Sequence, residues 1–200
     1  MGSQALQDWR GVRRERLDKL VAAHRAVAGA GPGRRWVTEE INHALLIRLA
    51  SEFQGFCRDL HDESVGRFVS LGVRNQPDIT SIVRLSLMGS RRIDRGNASW
   101  GNVKHDFMSS LGIDLARSLK NQAVQYPHWV RYLEWLNATR NALAHADEEK
   151  QALCAEQHPL TLATYRKCRA AVNAICTHMD RSLDVHLSDI RDSTRDRSTR

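Results

Sequence analysis

Apolar residues recur along this chain at spacings of three and four, and no stretch keeps the alternation of two that marks a strand. The clearest run is Leu46, Leu49, Phe53, Phe56 and Leu60, a seam on one face of a helix. Thr38 is placed to cap that helix, with Glu39 and Glu40 in its first turn against the dipole, and it is predicted to reach about Leu71. Residues near 5–28 form a basic helix whose apolar face is Leu6, Trp9, Val12, Leu17, Leu20 and Val21. It ends at the breaker Gly29-Ala30-Gly31-Pro32-Gly33, which lacks the Lys-Ser/Thr of a phosphate-binding loop. Residues 72–77 connect to a short helix opened by Pro77 and running through Leu87. A loop at 89–101 precedes a helix to about Gln122, with Phe107, Leu111, Ile113, Leu115 and Leu119 as its core positions. Pro127 opens the next helix, predicted to run to about Asp147 with Trp129, Tyr132, Leu133, Trp135 and Leu136. A polar link covers 148–159. Thr161 then caps a long last helix carrying Leu162, Tyr165, Cys168, Val172, Ile175 and Met179 along one side. The pattern reads as all-α: a bundle of about five to six helices in one domain over 1–186, its first 34 residues a basic helix and turn. From about Leu187 the chain mixes charges at short range and is expected to be disordered, a polar tail over 187–200.

Composition changes this picture in three ways. The mean hydropathy of −0.49 fits a soluble globular chain, and no apolar run approaches the roughly 18–20 residues of a membrane span. Asp8, Arg10, Arg13 and Arg14 stand where a signal peptide would need an apolar segment, so a cytoplasmic protein with no membrane partner is expected. The four cysteines, Cys57, Cys154, Cys168 and Cys176, lack a Cys-x2-Cys pair and read as reduced, mostly buried thiols. The net charge of +7 and pI near 9.7 permit a polyanion partner. Most of the basic residues are arginine, whose planar fork suits phosphate, although an arginine bias can equally reflect genome composition.

The sharpest candidate chemistry is Arg140-Asn141-Ala142-Leu143-Ala144-His145. Chance alone places about one Arg-x4-His pair in a chain of this composition, and two occur. Arg181 with His186 lies near the polar tail and reads as a solvated helix face. Arg140 with His145 sits among small residues after an aromatic run. Arg140 falls within the apolar stripe of its helix, where a charge needs a partner or a route to water. Its stem packed and its head reaching solvent is the bland reading, and the residues alone favour it. In an unbroken helix five residues turn through roughly 140°, so Arg140 and His145 face apart while Asn141 and His145 align. A distorted helix, a long reach by the arginine, or a site composed from two chains would each resolve this.

A second candidate is the 89–101 loop. Arg91, Arg92 and Arg95 could hold phosphate and Trp100 could stack on a base, weighed against a solvated loop with Trp100 tucked into the core. Glu40-x2-His43 has di-iron spacing but no second pair, so no metal site is expected. His61, between Asp59 and Asp62, reads as a surface histidine.

The 140–145 motif and the segment Ser51-Glu52-Phe53-Gln54-Gly55-Phe56-Cys57-Arg58-Asp59-Leu60 together resemble the HEPN proteins, in particular the prokaryotic HEPN ribonucleases, over roughly residues 35–186. The resemblance implies a HEPN-like helical bundle that forms a homodimer, its paired motifs meeting at a shared cleft. It implies an endoribonuclease that uses no metal and no cofactor, acting as a toxin or in phage defence, with an antitoxin or defence-system protein as a possible partner. In that reaction the ribose 2′-OH attacks the adjacent phosphate and leaves a 2′,3′-cyclic phosphate and a 5′-OH. His145 would be the general acid/base and Arg140 would stabilise the phosphate, with Asn141 orienting either; these residue types suit proton transfer near neutral pH and paired contacts to phosphate oxygens. One position departs from the pattern. HEPN toxins regulated by a nucleotidyltransferase carry His-x-Tyr, and here Asp147 replaces the tyrosine. The alternative reading is a non-catalytic RNA-binding or scaffold subunit; a helical protein-interaction module without an RNA role is the third.

Overall fold

A computed structural model describes residues 2–28, 35–72, 76–89 and 91–198. The glycine breaker at 29–33 lies outside the described residues. Every regular element among the described residues is helical. In chain order these are α1 (Gln4–Asp8), a π-helical turn (Trp9–Arg13), α2 (Arg14–Ala28), α3 (Arg35–Gly72), α4 (Pro77–Met88) and α5 (Arg92–Arg95). Then follow α6 (Trp100–Leu111), α7 (Leu115–Gln122), α8 (Tyr126–Ala144), α9 (Glu148–Gln157) and α10 (Leu162–Ser198).

The apolar seam on α3 builds the centre. Leu46, Leu49, Phe53, Phe56 and Leu60 are all buried, and α3, α8 and α10 pack against one another around them. α2 lies along α3. The π turn explains how the N-terminal helix meets this core. An extra residue in the turn shifts the apolar phase, so Val12, expected inside, is exposed and Arg13 takes the inward position. Trp9 packs edge-on against Phe56 at 5.7 Å and donates from Nε1 to Asn173 Oδ1 at 2.9 Å.

Arg13 reaches a carboxylate cluster. Glu52 on α3 is buried, and its two oxygens meet Arg13 Nη1 at 2.6 Å and Arg48 Nη2 at 2.6 Å, with Arg16 at 3.5 Å. Arg13 Nη2 also meets Asp59 at 2.6 Å. Gly55 lies between these carboxylates, and a Cβ there would stand 2.5 Å from Arg13 Nη1. Burial pushes the Glu52 carboxyl up, but the hydrogen bonds and charges of Arg13 and Arg48 outweigh it and hold the group below its ordinary value.

There are more helical segments than the five or six expected. Gly112, at φ 68, ends α6 in a left-handed cap, and Asp114 then caps α7 by accepting from Arg117 N. The polar link at 148–159 is largely α9. Its apolar content is too low to show a period, yet Asp147 caps it and Glu148 and Glu149 favour its first turn. The tail expected to be disordered from about Leu187 instead continues α10 to Ser198, with Leu187 itself buried. Acid and base interspersed there are as compatible with a solvated helix as with coil, and composition does not separate the two. His61 is fully buried, not a surface group: its Nε2 meets Ser110 Oγ at 2.7 Å, and burial, then the nearby Arg91, lowers its pKa. All four cysteines are free and buried. Among the described residues no helix is long and apolar enough to cross a membrane.

Glu52→Ala leaves up to three guanidinium groups facing a carboxylate that is gone and should lower unfolding free energy by about 3 kcal/mol. A lowered carboxyl pKa contributes stability above the unfolded value of about 4.3 that is lost as pH falls through the folded value. Denaturant unfolding of both proteins at neutral pH and at pH 3 should therefore show the difference shrinking in acid; an equal difference at both would refute this role.

Candidate functional site

α8 buries Tyr132, Leu133, Trp135, Leu136, Asn137, Thr139 and Ala142. This places Arg140 at the edge of the buried face, half-buried, with its head at the surface. Its Nη1 donates to Asn141 Oδ1 at 3.1 Å, so the Asn141 side chain orients the arginine. No ion pair involves Arg140 among the described residues.

His145 keeps its helical place at the end of α8, and the chain reverses just after it. His145 is the C-cap, with its N–H on Asn141 O at 3.1 Å. Ala146 then adopts φ 51, its N–H on Leu143 O, and Asp147 N donates to Ala142 O at 2.9 Å. This is the paired-bond reversal that normally uses glycine at the left-handed position. Asp147 at once begins α9: its carboxylate accepts from Lys150 N at 3.1 Å and pairs with Lys150 Nζ at 2.7 Å. Those Lys150 contacts hold the Asp147 carboxyl below its ordinary value. Trp135 Nε1 donates to Cys154 O at 3.0 Å and pins α9 against α8. The two helices thus form a hairpin with His145 at its bend.

The opposite wall comes from the 89–101 loop, which is not solvated throughout. Ile93 is buried, and the buried carboxylate of Asp106 accepts from Arg92 N and Ile93 N, each at 2.9 Å. Gln54 Nε2 donates to Ile93 O and Gly96 O at 2.7 Å each, and Arg58 Nη2 to Ile93 O at 3.0 Å. Asn137 of α8 donates to Ala98 O at 3.2 Å. These bonds fix α5 on α3 and α6 and tie the end of the loop to α8.

Between the walls is an open cleft of about 880 Å³. Arg140, Asn141 and His145 line one side and Asp94, Arg95 and Asn97 the other, with Lys150 and Gln157 of α9 at its edge. Asp94 is engaged by Arg58 at 2.8 Å and Arg91 at 2.8 Å, and Lys150 by Asp147. Arg95 is exposed and in no ion pair among the described residues. Arg95 and Arg140 are therefore the uncommitted cations of the cleft, with His145 beside them. His145 and Arg140 share this wall without hydrogen bonding to each other. Such an arrangement can bind a phosphate or other small oxyanion and offer it one imidazole.

Of the loop candidates, only Arg95 joins the motif. Arg91 is held by Asp62 and Asp94 with its side chain 10% exposed, so its fork is spent on structure and cannot serve phosphate. Arg92 points to solvent outside the cleft lining. Trp100 does not present a ring for stacking: it is 3% exposed, with Nε1 on Tyr126 Oη at 2.8 Å. The other Arg-x4-His pair is separated from this cleft, and His186 Nε2 is committed to Leu111 O at 2.8 Å. The loop anchors Gln54, Arg58 and Asp106 carry no spacing signal that links them to residue 140. Among the described residues no group of three or more His, Cys, Asp or Glu is gathered as metal ligands would be. Comparison with family models, curated proteins and solved structures gives no match for this chain.

A non-glycine residue in the left-handed region costs about 1–2 kcal/mol, offset in part by the greater unfolded-state freedom of glycine. Ala146→Gly should therefore raise the melting temperature by about 2 °C. A lower melting temperature would contradict this account of the bend.

Proposed function

We propose that the chain is a HEPN-type endoribonuclease, acting as a homodimer in a toxin–antitoxin or phage-defence system, with the cleft at the α8–α9 bend as its active site. The observation that carries this reading is that Arg140, Asn141 and His145 line one cleft together with the unpaired Arg95. A diester phosphate in the cleft would bring one negative charge to Arg140 and Arg95, whose forks can donate in pairs to its non-bridging oxygens.

The ribose 2′-oxygen forms a bond to phosphorus as it loses its proton, and the bond from phosphorus to the 5′-oxygen breaks as that oxygen gains one. The products are a 2′,3′-cyclic phosphate and a 5′-OH, and no bond is hydrolysed at this stage. Charge grows on the phosphoryl oxygens in the transition state, where Arg140 stabilises it. His145 moves the proton at one of the two oxygens. Proton transfer at both oxygens at once needs a second group beside this imidazole. His145 of a second copy, brought to a common cleft by a two-fold axis, would supply it. Asn141 acts through Arg140, whose head it orients, and is a positioning residue. Asp147, committed to starting α9, stands where nucleotidyltransferase-regulated HEPN toxins carry their tyrosine, which favours another form of control.

Incubation with RNA in EDTA tests the reading. Wild type should cleave and leave cyclic phosphate ends, while Arg140→Ala and His145→Ala lose at least about 10²-fold in rate with their melting temperatures unchanged. Equal cleavage by all three, or an inert wild type that still binds RNA, would contradict it.

A further inference from the structure

The cleft at the bend does not stand alone along α8. A second concavity of about 930 Å³ shares Ala138 and Gln157 with it, and continues along Glu134, Arg131 and His128 toward the start of the helix. A third, of about 560 Å³, shares His128 and Tyr132 with the second and ends against Lys167 of α10. The three form one groove beside α8. From His145 to Gln125 the helix rises about 30 Å.

Arg131 and Lys167 are exposed and in no ion pair among the described residues. Glu134, also exposed and the one carboxylate among the described residues lining the second and third concavities, accepts through Oε1 from Trp100 N at 2.9 Å, at the start of α6. The rings of His128, Tyr132 and His158 line the groove with the two cations. His158 stacks on Tyr132 at 5.0 Å, and His128 meets the same tyrosine edge-on at 5.0 Å. Cations spaced along a groove that also presents the rings of His128 and His158 match a strand that alternates phosphates and bases.

Building on the reading above, we infer that this groove is the path of a single RNA strand, with Arg131 and Lys167 holding phosphates distant from the one bound at Arg140. A span of about 30 Å takes roughly five nucleotides. A single strand fits the chemistry as well as the shape. In-line attack by a 2′-OH requires a linkage free to leave helical geometry, which a stacked duplex restrains. The enzyme therefore selects unpaired RNA, and the cations at the far end set its affinity without touching the reacting atoms.

The test measures fluorescence anisotropy of single-stranded oligoribonucleotides of two to eight nucleotides on His145→Ala, which does not consume them. Arg131→Ala and Lys167→Ala are added to that background singly and together. Affinity should rise with length to about five nucleotides and then level. The double variant should bind five-mers about ten-fold more weakly, keep its dinucleotide affinity, and show a salt slope smaller by about 0.7 per removed cation. An RNA duplex of equal length should bind more weakly than the strand. Unchanged length dependence and salt slope in the double variant would overturn the inference. Dissociation of a dimer by the same substitutions would also overturn it, because the groove would then be a surface covered by a second copy. Wild-type cleavage leaving cyclic phosphate ends keeps the nuclease reading standing in either case, so the two can fail separately.

Discussion

A loop buried on one side must find partners for its backbone polar groups, and the cleft exists because residues 91–99 find theirs in side chains of other helices. Asp106 takes two N–H groups at the start of α5, while Gln54 and Arg58 fill the carbonyls of Ile93 and Gly96. With its backbone satisfied, Ile93 can enter the core and α5 is held on α3 and α6, across the cleft from the end of α8. Arg95 then faces Arg140 across the cleft. Without those three polar side chains the loop would have to stay in water, and the motif helix would present a convex surface.

The segment 51–60 of α3 serves both sides of the bundle. Its apolar residues make the seam, Glu52 and Asp59 hold Arg13 of the N-terminal helix across Gly55, and Gln54 and Arg58 hold α5. The same ten residues therefore tie the N-terminal helix and the cleft wall to one rigid element. Polar groups at such positions are costly if left unpaired, which makes the arrangement specific to one packing.

The helical class and the central seam were legible because Leu46, Leu49, Phe53, Phe56 and Leu60 repeat at helical spacing and every one is buried. The N-terminal register was not, since a π turn shifts phase without any mark in composition, turning Val12 out and Arg13 in. α9 was hidden because only Cys154 on it is buried, and its start depends on Asp147 as a cap. Trp100 and Arg91 illustrate a different limit. A tryptophan and an arginine in a polar loop serve equally well as ligand contacts or as structural anchors, and only tertiary partners decide. Arg140, Asn141 and His145 were legible as a group, but the cleft they line was not. It depends on the left-handed Ala146 turning α9 back to the cleft edge, which no residue type announces, and on Arg95 arriving from a loop some 45 positions away in the chain.

An RNA phosphate held in the proposed site would sit between Arg140, Arg95 and His145. The most direct measurement is an NMR titration of isotope-labelled protein with a 2′-O-methyl RNA strand, which cannot be cleaved by 2′-OH attack. The Arg140 and Arg95 side-chain N–H resonances and the His145 ring resonances should shift together and saturate with the same affinity. RNA binding that leaves all three unmoved would contradict it.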